Sequence, residues 1–176
     1  MSVLAVAAAA FGLASAAYQA AGEARDRRQN PPLGRLVDVG GYRLHIMIAG
    51  HGSPAVVVIP ALGSPGSEWL GVQQAIAQKT AVCVYDRAGL GWSDSPPRQR
   101  TAVTMAGELH ALLRGVGCSP PYVLVGHSLG GLVARFFIQR YPGEVAGLAL
   151  IDSSHPRPEG EIAEDGDAGL PRRQAA

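Results

Sequence analysis

The sequence predicts a doubly wound α/β domain in which one mostly parallel sheet lies between two layers of helices. Four short apolar runs, at residues 55–59, 81–85, 122–125 and 145–151, lack polar alternation, as expected for strands buried on both faces. Helical patterns separate these runs, so strand and helix alternate along the chain. The 176 residues, with 47% hydrophobic and 16% charged residues, suit one globular core.

The first 21 residues carry no charge and are dominated by Ala, Val, Leu and Phe. A helix of that length spans the apolar core of a bilayer, so we predict a membrane anchor at residues 1–21. A signal peptide is the alternative, because Ala14-Ser15-Ala16 resembles a cleavage site, and cleavage there would make the protein secreted. Three arginines follow the apolar run and none precedes it, which favours an uncleaved anchor whose side of the membrane stays open.

Residues 22–32 are predicted to form a polar linker that a Pro-Pro pair ends. The folded domain is then expected at residues 33–155. It opens with two strands, at residues 35–39 and 42–48, which a Gly-Gly turn joins as a hairpin. Antiparallel pairing is expected only in this hairpin.

Three helices are predicted between the later strands. The first covers residues 68–78, and the third runs from residue 128 to 141, where a Pro-Gly pair ends it. The second helix is marked by one apolar stripe with helical spacing: Met105, Leu109, Leu112 and Val116.

Residues 156–176 are rich in Pro, Gly and charge with little apolar periodicity, which predicts a disordered tail.

The pattern Gly126-His127-Ser128-Leu129-Gly130 directly follows a predicted strand and opens a predicted helix. A turn this tight requires glycine at the flanking positions and projects the middle side chain above the sheet. The amino terminus of the helix directs its dipole and its free N–H groups toward that hydroxyl. We therefore predict that Ser128 is a catalytic nucleophile. The alternative is an ordinary turn in which Ser128 only caps the helix.

With this turn in place, the chain resembles the α/β-hydrolase fold family over about residues 33–155. Residues 86–94, DRAGLGWSD, are similar to the family's structural loop after the fourth strand. Residues 58–63, VIPALG, are similar to the loop after the third strand, with Pro-Ala in place of the common His-Gly. The resemblance implies a sheet of the family's first six strands. It also implies an oxyanion hole formed by the backbone N–H groups of Leu62 and Leu129.

A serine at the turn implies acyl transfer through an acyl-enzyme, whereas related epoxide hydrolases and haloalkane dehalogenases use a carboxylate there. The predicted function is therefore a serine hydrolase that acts on ester or related acyl bonds of a small-molecule substrate. A non-catalytic remnant or binding module of the same fold is the alternative.

The partners of the nucleophile are not evident from the sequence. The family order is Ser, then Asp or Glu, then His, but only His155 follows Ser128, at a position that resembles a loop leading to the cap region. Asp152 ends the last predicted strand and is either the acid or a turn cap. We expect a chain that is incomplete at its C-terminus, inactive and poorly stable alone, unless a second chain completes the fold. The other histidines are expected to have structural roles: His45, His51, His110 and His127.

Other function classes are disfavoured. The net charge of +1 is too small to favour binding of nucleic acid, which is a polyanion. The sequence has no dinucleotide fingerprint, phosphate loop or metal-ligand spacing, so no cofactor or metal is predicted. Cys83 and Cys118 are interpreted as free thiols, with Cys83 in the core.

Overall fold

The computed structural model describes residues 3–97 and 100–154. Short 3-10 turns at Gly66–Trp69 and Pro142–Glu144 precede the second helix and the last strand. His155 and the predicted tail at residues 156–176 lie outside the described residues. In chain order the elements are α1 (Val3–Gln29), β1 (Arg35–Asp38), β2 (Arg43–Ala49), β3 (Ala55–Ile59), α2 (Leu70–Ala77), β4 (Val82–Tyr85), α3 (Ala102–Gly115), β5 (Tyr122–His127), α4 (Leu129–Arg140) and β6 (Val145–Ile151).

The strands form one sheet in the order β1-β2-β4-β3-β5-β6, and β3 to β6 are mutually parallel. The mostly parallel α/β sheet is therefore confirmed. The expectation of antiparallel pairing only in the β1–β2 hairpin was wrong, because β2 also pairs antiparallel with β4. Five residues separate β2 from β3, too few for the crossover that a parallel connection needs. β3 therefore runs opposite to β2, and so does β4.

Helices cover both faces of this sheet. Helices α3 and α4 pack on one face, where Leu109 and Leu112 of the predicted stripe are fully buried. Helix α2 packs on the other face against Val58, Val82 and Val84. The central strands β3 and β4 are buried on both sides, which explains why their sequences have no polar alternation.

The predicted membrane anchor is wrong for the part of the chain that the structure describes, in which no helix is long and apolar enough to cross a membrane. Ten of residues 1–21 are alanine, whose methyl group contributes little apolar area per residue. From Val3 onward the segment continues past Gly22 into the charged residues as the single helix α1. Length and absence of charge alone therefore overstated the hydrophobicity of this segment.

Strand β6 lies at one end of the described sheet and pairs only with β5. Its side chains are less buried than those of the central strands, since Leu148, Leu150 and Ile151 are 38%, 39% and 42% exposed. This end strand of the described sheet therefore presents apolar side chains that are partly exposed.

Candidate active site

The predicted nucleophile lies in a one-residue turn between β5 and α4. Strand β5 ends at His127 and α4 begins at Leu129, so Ser128 alone reverses the chain direction. Its φ of 50° and ψ of −117° are strained for a residue with a side chain. Such strain is found where the surrounding structure holds a functional side chain in place. The side chain of Ser128 is partly exposed above the sheet.

Three glycines make this turn possible. A Cβ atom on Gly126 would lie 2.5 Å from the Cα of Gly131, and one on Gly130 would lie 1.9 Å from the carbonyl oxygen of Ile59. A Cβ atom on Gly131 would lie 2.1 Å from the Oγ of Ser153. The sequence pattern identified the first two glycines but missed Gly131, whose neighbour is 22 residues away in the chain.

The segment after β6 fixes the backbone of the turn. The N–H of Ser128 donates to the carbonyl of Ile151 at 3.0 Å, and the N–H of Ser154 donates to the carbonyl of Ser128 at 3.1 Å. The hydroxyl of Ser153 donates to the carbonyl of Gly126 at 2.8 Å. The strained conformation of Ser128 is therefore held by the end of β6 and by the serines that follow it. Sequence reasoning missed these serines, which read only as turn residues.

The loop after β3 lies beside the turn. In the sheet Ile59 pairs with Gly126, which brings residues 60–63 next to the start of α4. The carbonyl of Ala61 accepts a hydrogen bond from the N–H of Ser64 at 3.2 Å and a second one from the guanidinium Nη2 of Arg87. The next residue, Leu62, is 77% exposed. Leu62, in the loop after β3, and Leu129, at the start of α4, therefore lie at the same end of the sheet.

Arg87 is a buried cation in the loop at residues 86–94, for which the family resemblance implies only a structural role. It is 2% exposed, and burial lowers the pKa of its guanidinium. Its Nε is buried without a hydrogen-bond partner among the described residues. A buried charge is costly unless its hydrogen bonds compensate, so the bond to Ala61 is a strong constraint on that loop.

A buried histidine and a buried carboxylate lie at the same end of the sheet. His45 Nδ1 is 2.9 Å from the carboxylate of Asp86, and the N–H of Gly34 donates to His45 Nε2 at 3.0 Å. Because Nε2 accepts a hydrogen bond, it carries no proton, and Nδ1–H donates to Asp86. His45 is therefore a neutral structural residue, and both of its ring nitrogens are occupied by hydrogen bonds to Asp86 and Gly34.

Asp86 organises the loop at residues 86–94. Besides His45, it accepts hydrogen bonds from the N–H of Gly66 at 2.6 Å and from the N–H of Trp92 at 3.0 Å. Burial opposes ionisation of this carboxyl, but these three hydrogen bonds outweigh burial and hold its pKa below the ordinary value. Ser93 closes the network, since its hydroxyl donates to the Asp86 carbonyl at 2.6 Å. The structural role implied for this loop thus has a physical basis.

The remaining described histidines are engaged elsewhere. The ring of His127 packs edge-on against Trp69 at 6.0 Å, and His110 contacts Glu144 at 3.1 Å. His51 is exposed in the loop before β3. Within residues 3–97 and 100–154, no histidine forms a hydrogen bond with Ser128. His155 lies outside those ranges.

Asp152 follows β6 beside the turn, because Ile151 pairs with His127. It is exposed and has a left-handed φ of 41°. Its role as the catalytic acid stays a prediction. In the described part of the chain, no cluster of three or more His, Cys, Asp or Glu side chains could hold a metal ion.

Comparison with known proteins identifies this arrangement. A family model described as alpha/beta hydrolase fold matches residues 54–174. The chain belongs to the α/β-hydrolase fold family. The match includes the β5–α4 turn, the loop after β3 and the loop at residues 86–94.

Individual α/β-hydrolase relatives agree with this assignment. The "Putative carbamate hydrolase RutD" of Cronobacter turicensis is 40% identical over 102 residues, which cover 57% of this chain and 38% of that protein. A thermophilic esterase from Thermogutta terrifontis superposes with a TM-score of 0.61 and 29% identity, covering 72% and 47% of the two chains. A bacterial membrane phospholipase A superposes with a TM-score of 0.66 and 25% identity, covering 90% and 52%.

The chain spans only part of these relatives. It covers 18% of the "Probable transporter efuK" of Hormonema carpetanum, 39% of the "Uncharacterized protein YbdG" of Bacillus subtilis and 38% of the putative carbamate hydrolase. These comparisons do not support the expectation that a second chain completes the fold.

Proposed function

We propose that the chain carries the nucleophile of a serine hydrolase that cleaves ester or related acyl bonds of a small molecule through an acyl-enzyme at Ser128. The observation that carries the proposal is the strained one-residue turn that projects the Ser128 hydroxyl from the sheet beside the amino terminus of α4. The named relatives include an esterase and a putative carbamate hydrolase, which supports acyl chemistry.

In the proposed reaction, Ser128 Oγ attacks the acyl carbon and the alcohol or amine leaves with a proton. Water then hydrolyses the serine ester and restores the hydroxyl. The negative oxygen formed in each step is stabilised by two backbone N–H groups, those of Leu62 and Leu129. Leu129 is the first residue of α4, so its N–H has no carbonyl partner within the helix and is free to donate.

The proposal is tested by labelling the folded chain with a fluorophosphonate probe, in which the serine hydroxyl displaces fluoride from phosphorus. In contrast to the expectation from the sequence that the chain is inactive alone, this proposal predicts one probe per chain on Ser128 by peptide mass spectrometry, and complete loss of labelling in Ser128→Ala. Ser67→Ala is the matched control, because Ser67 is exposed on the turn before α2, and its labelling should equal that of the wild type. Circular dichroism and thermal melting verify folding.

A non-catalytic module of the same fold is the second candidate. It is favoured by the absence of a histidine bonded to Ser128 among the described residues. Cooperatively folded protein that stays unlabelled at excess probe would support this candidate and contradict the proposed activity.

Arg87 provides a second prediction, as a positioning residue. The Ala61 carbonyl and the Leu62 N–H belong to one trans peptide group, so they point in opposite directions. By binding the carbonyl, Arg87 directs the N–H away from itself, and we propose that this aims it at the oxyanion. We expect Arg87→Met to slow fluorophosphonate labelling about tenfold or more, because one oxyanion donor is misdirected.

Arg100→Met is the control for this experiment. Arg100 is also mostly buried and donates to Glu108 and to the Ala88 carbonyl, but it forms no hydrogen bond with the Ala61 loop. Its loss should lower the melting temperature without changing the labelling rate measured well below that temperature. Equal labelling rates for Arg87→Met and Arg100→Met would refute the positioning role.

A further inference from the structure

The two cysteines of the chain lie against each other. The thiol of Cys83 donates to the sulfur of Cys118, and the two Sγ atoms are 3.6 Å apart. Cys83 is 1% exposed in β4, whereas Cys118 is partly exposed in the connection between α3 and β5. The pair thus combines one accessible and one inaccessible thiol.

Rigid elements hold both cysteines. In the sheet Cys83 pairs with Ile48 on one side and Val57 on the other. The N–H of Cys118 donates to the carbonyl of Leu113 at 3.0 Å, and the hydroxyl of Tyr122 donates to the carbonyl of Cys118 at 2.7 Å. A disulfide, with its S–S length of about 2.05 Å, requires only a small side-chain approach from this position.

Cys118 lines a surface hollow of about 480 Å³. The hollow also includes Ala55, which starts β3, Ala81, which directly precedes β4, and Pro120, which lies two positions before β5. It therefore lies at the amino ends of the parallel strands, whereas Ser128 lies at their carboxyl ends. Arg35 supplies a positive charge to its lining, which contains no carboxylate among the described residues.

The two thiols differ in acidity. The hydrogen bond from Cys83 lowers the pKa of the Cys118 thiol, against the opposing effect of its partial burial. The same bond, together with burial, raises the pKa of the Cys83 thiol. Cys118 is thus the better nucleophile as well as the accessible one, since the thiolate is the reactive form.

We propose that Cys118 and Cys83 form a redox-active dithiol site, separate from Ser128, that reacts with a small anionic disulfide such as oxidised glutathione. The Cys118 thiolate attacks one sulfur of the oxidised glutathione S–S bond, which forms a mixed disulfide and releases one glutathione thiolate. Cys83 then attacks Cys118 Sγ, forming the protein disulfide and releasing the second thiolate. The two protein thiols lose two electrons and two protons, and the oxidant becomes two molecules of glutathione.

Arg35 would attract the carboxylates of glutathione to the hollow. The attraction by Arg35 can be measured separately from the thiol chemistry. An uncharged disulfide such as hydroxyethyl disulfide reacts with the same thiols but is not attracted by the charge of Arg35. Arg35→Gln should therefore slow the reaction with oxidised glutathione several-fold and leave the reaction with hydroxyethyl disulfide unchanged.

The test treats the folded, reduced chain with oxidised glutathione, stops the reaction with acid and measures intact mass after alkylation. The wild type is expected to become a protein disulfide with no free thiol. Cys83→Ala should stop at a single glutathione adduct on Cys118, because the second thiol is missing. In Cys118→Ala, Cys83 should stay unmodified until denaturant is added.

Oxidation should also raise the melting temperature, on the order of 10 °C, because the bond joins positions 35 residues apart and restricts the unfolded chain. A reductant should reverse this rise in the wild type, and neither cysteine variant should show it. Cys83→Ser is the second variant if alanine at the buried position prevents folding. A wild type that keeps both thiols while Cys83→Ala or Cys83→Ser is readily glutathionylated would overturn the proposal, as would a wild type that stops at the mixed disulfide.

Discussion

Replacing Gly130 with alanine is expected to lower the free energy of unfolding by about 3 kcal/mol or more. The new Cβ would lie 1.9 Å from the carbonyl oxygen of Ile59 and 3.0 Å from that of Pro60. Both obstacles are backbone atoms at the end of β3, so no side-chain rotation relieves the contact. Helix α4 must move away from the sheet, which also displaces Ser128. Urea denaturation measures the loss of stability, and fluorophosphonate labelling should fall in parallel.

Gly107→Ala is the matched control for this substitution. Gly107 also lies inside a helix, α3, but a Cβ atom there would meet nothing within 4 Å. Alanine has a higher helix propensity than glycine, so this variant should gain up to about 1 kcal/mol. Similar stabilities for the Gly130 and Gly107 variants would contradict the close packing between α4 and β3.

Replacing Asp86 with asparagine is expected to cost about 3 kcal/mol at neutral pH. The carboxylate accepts hydrogen bonds from His45, Trp92 and Gly66, with the Gly66 N–H on one oxygen and the other two donors on the second. An amide offers one acceptor oxygen and one donor group, so at least one buried N–H must face another donor. Urea denaturation of the two proteins gives the difference directly.

Asp94→Asn is the control for a carboxylate that is only partly buried. Asp94 pairs with Arg43 at 3.0 Å, but both side chains are substantially exposed. Exposed ion pairs contribute little, so this variant should lose less than about 1 kcal/mol. A comparable loss in both variants would contradict the role given to the buried network.

The Asp86 effect should depend on pH in a defined direction. Its pKa is lower in the folded chain than its ordinary value of 3.8, so the folded state holds the ionised form more strongly than the unfolded state does. This contribution is complete above the unfolded-state pKa and is lost as the pH falls through the lower folded-state pKa. The stability difference between wild type and Asp86→Asn should therefore be constant near about pH 6 and shrink below about pH 4. A difference that grows at acid pH would reverse this assignment.

Features that depend on local sequence were predictable. The turn at Ser128 is such a feature, because the glycines at 126 and 130, the preceding apolar run and the following helical pattern lie within one short segment. The stripe on α3 is another, since Leu109 and Leu112 face the sheet whatever the order of the strands. The N-terminal segment shows the limit of this approach, because its length and lack of charge suggested more hydrophobicity than an alanine-rich helix has.

Contacts between distant segments were not predictable from any local pattern. Arg87 reaches the Ala61 carbonyl across 26 positions, and His45 reaches Asp86 across 41. The identity of Arg87 or of His45 does not indicate which residue it will contact, because the order of the strands decides which loops lie next to each other. The thiol pair is similar, since two cysteines 35 positions apart have no recognisable spacing.

The sequence by itself determined the α/β class, the positions of the strands and the turn that presents Ser128, because hydrophobic periodicity and glycine conformation act over a few residues. Only the tertiary structure decided that β4 inserts between β2 and β3, that the segment after β6 holds the Ser128 backbone, and that Cys83 meets Cys118. Those outcomes depend on how buried faces pack and on which buried polar groups find partners. Both are properties of the assembled sheet and its helices.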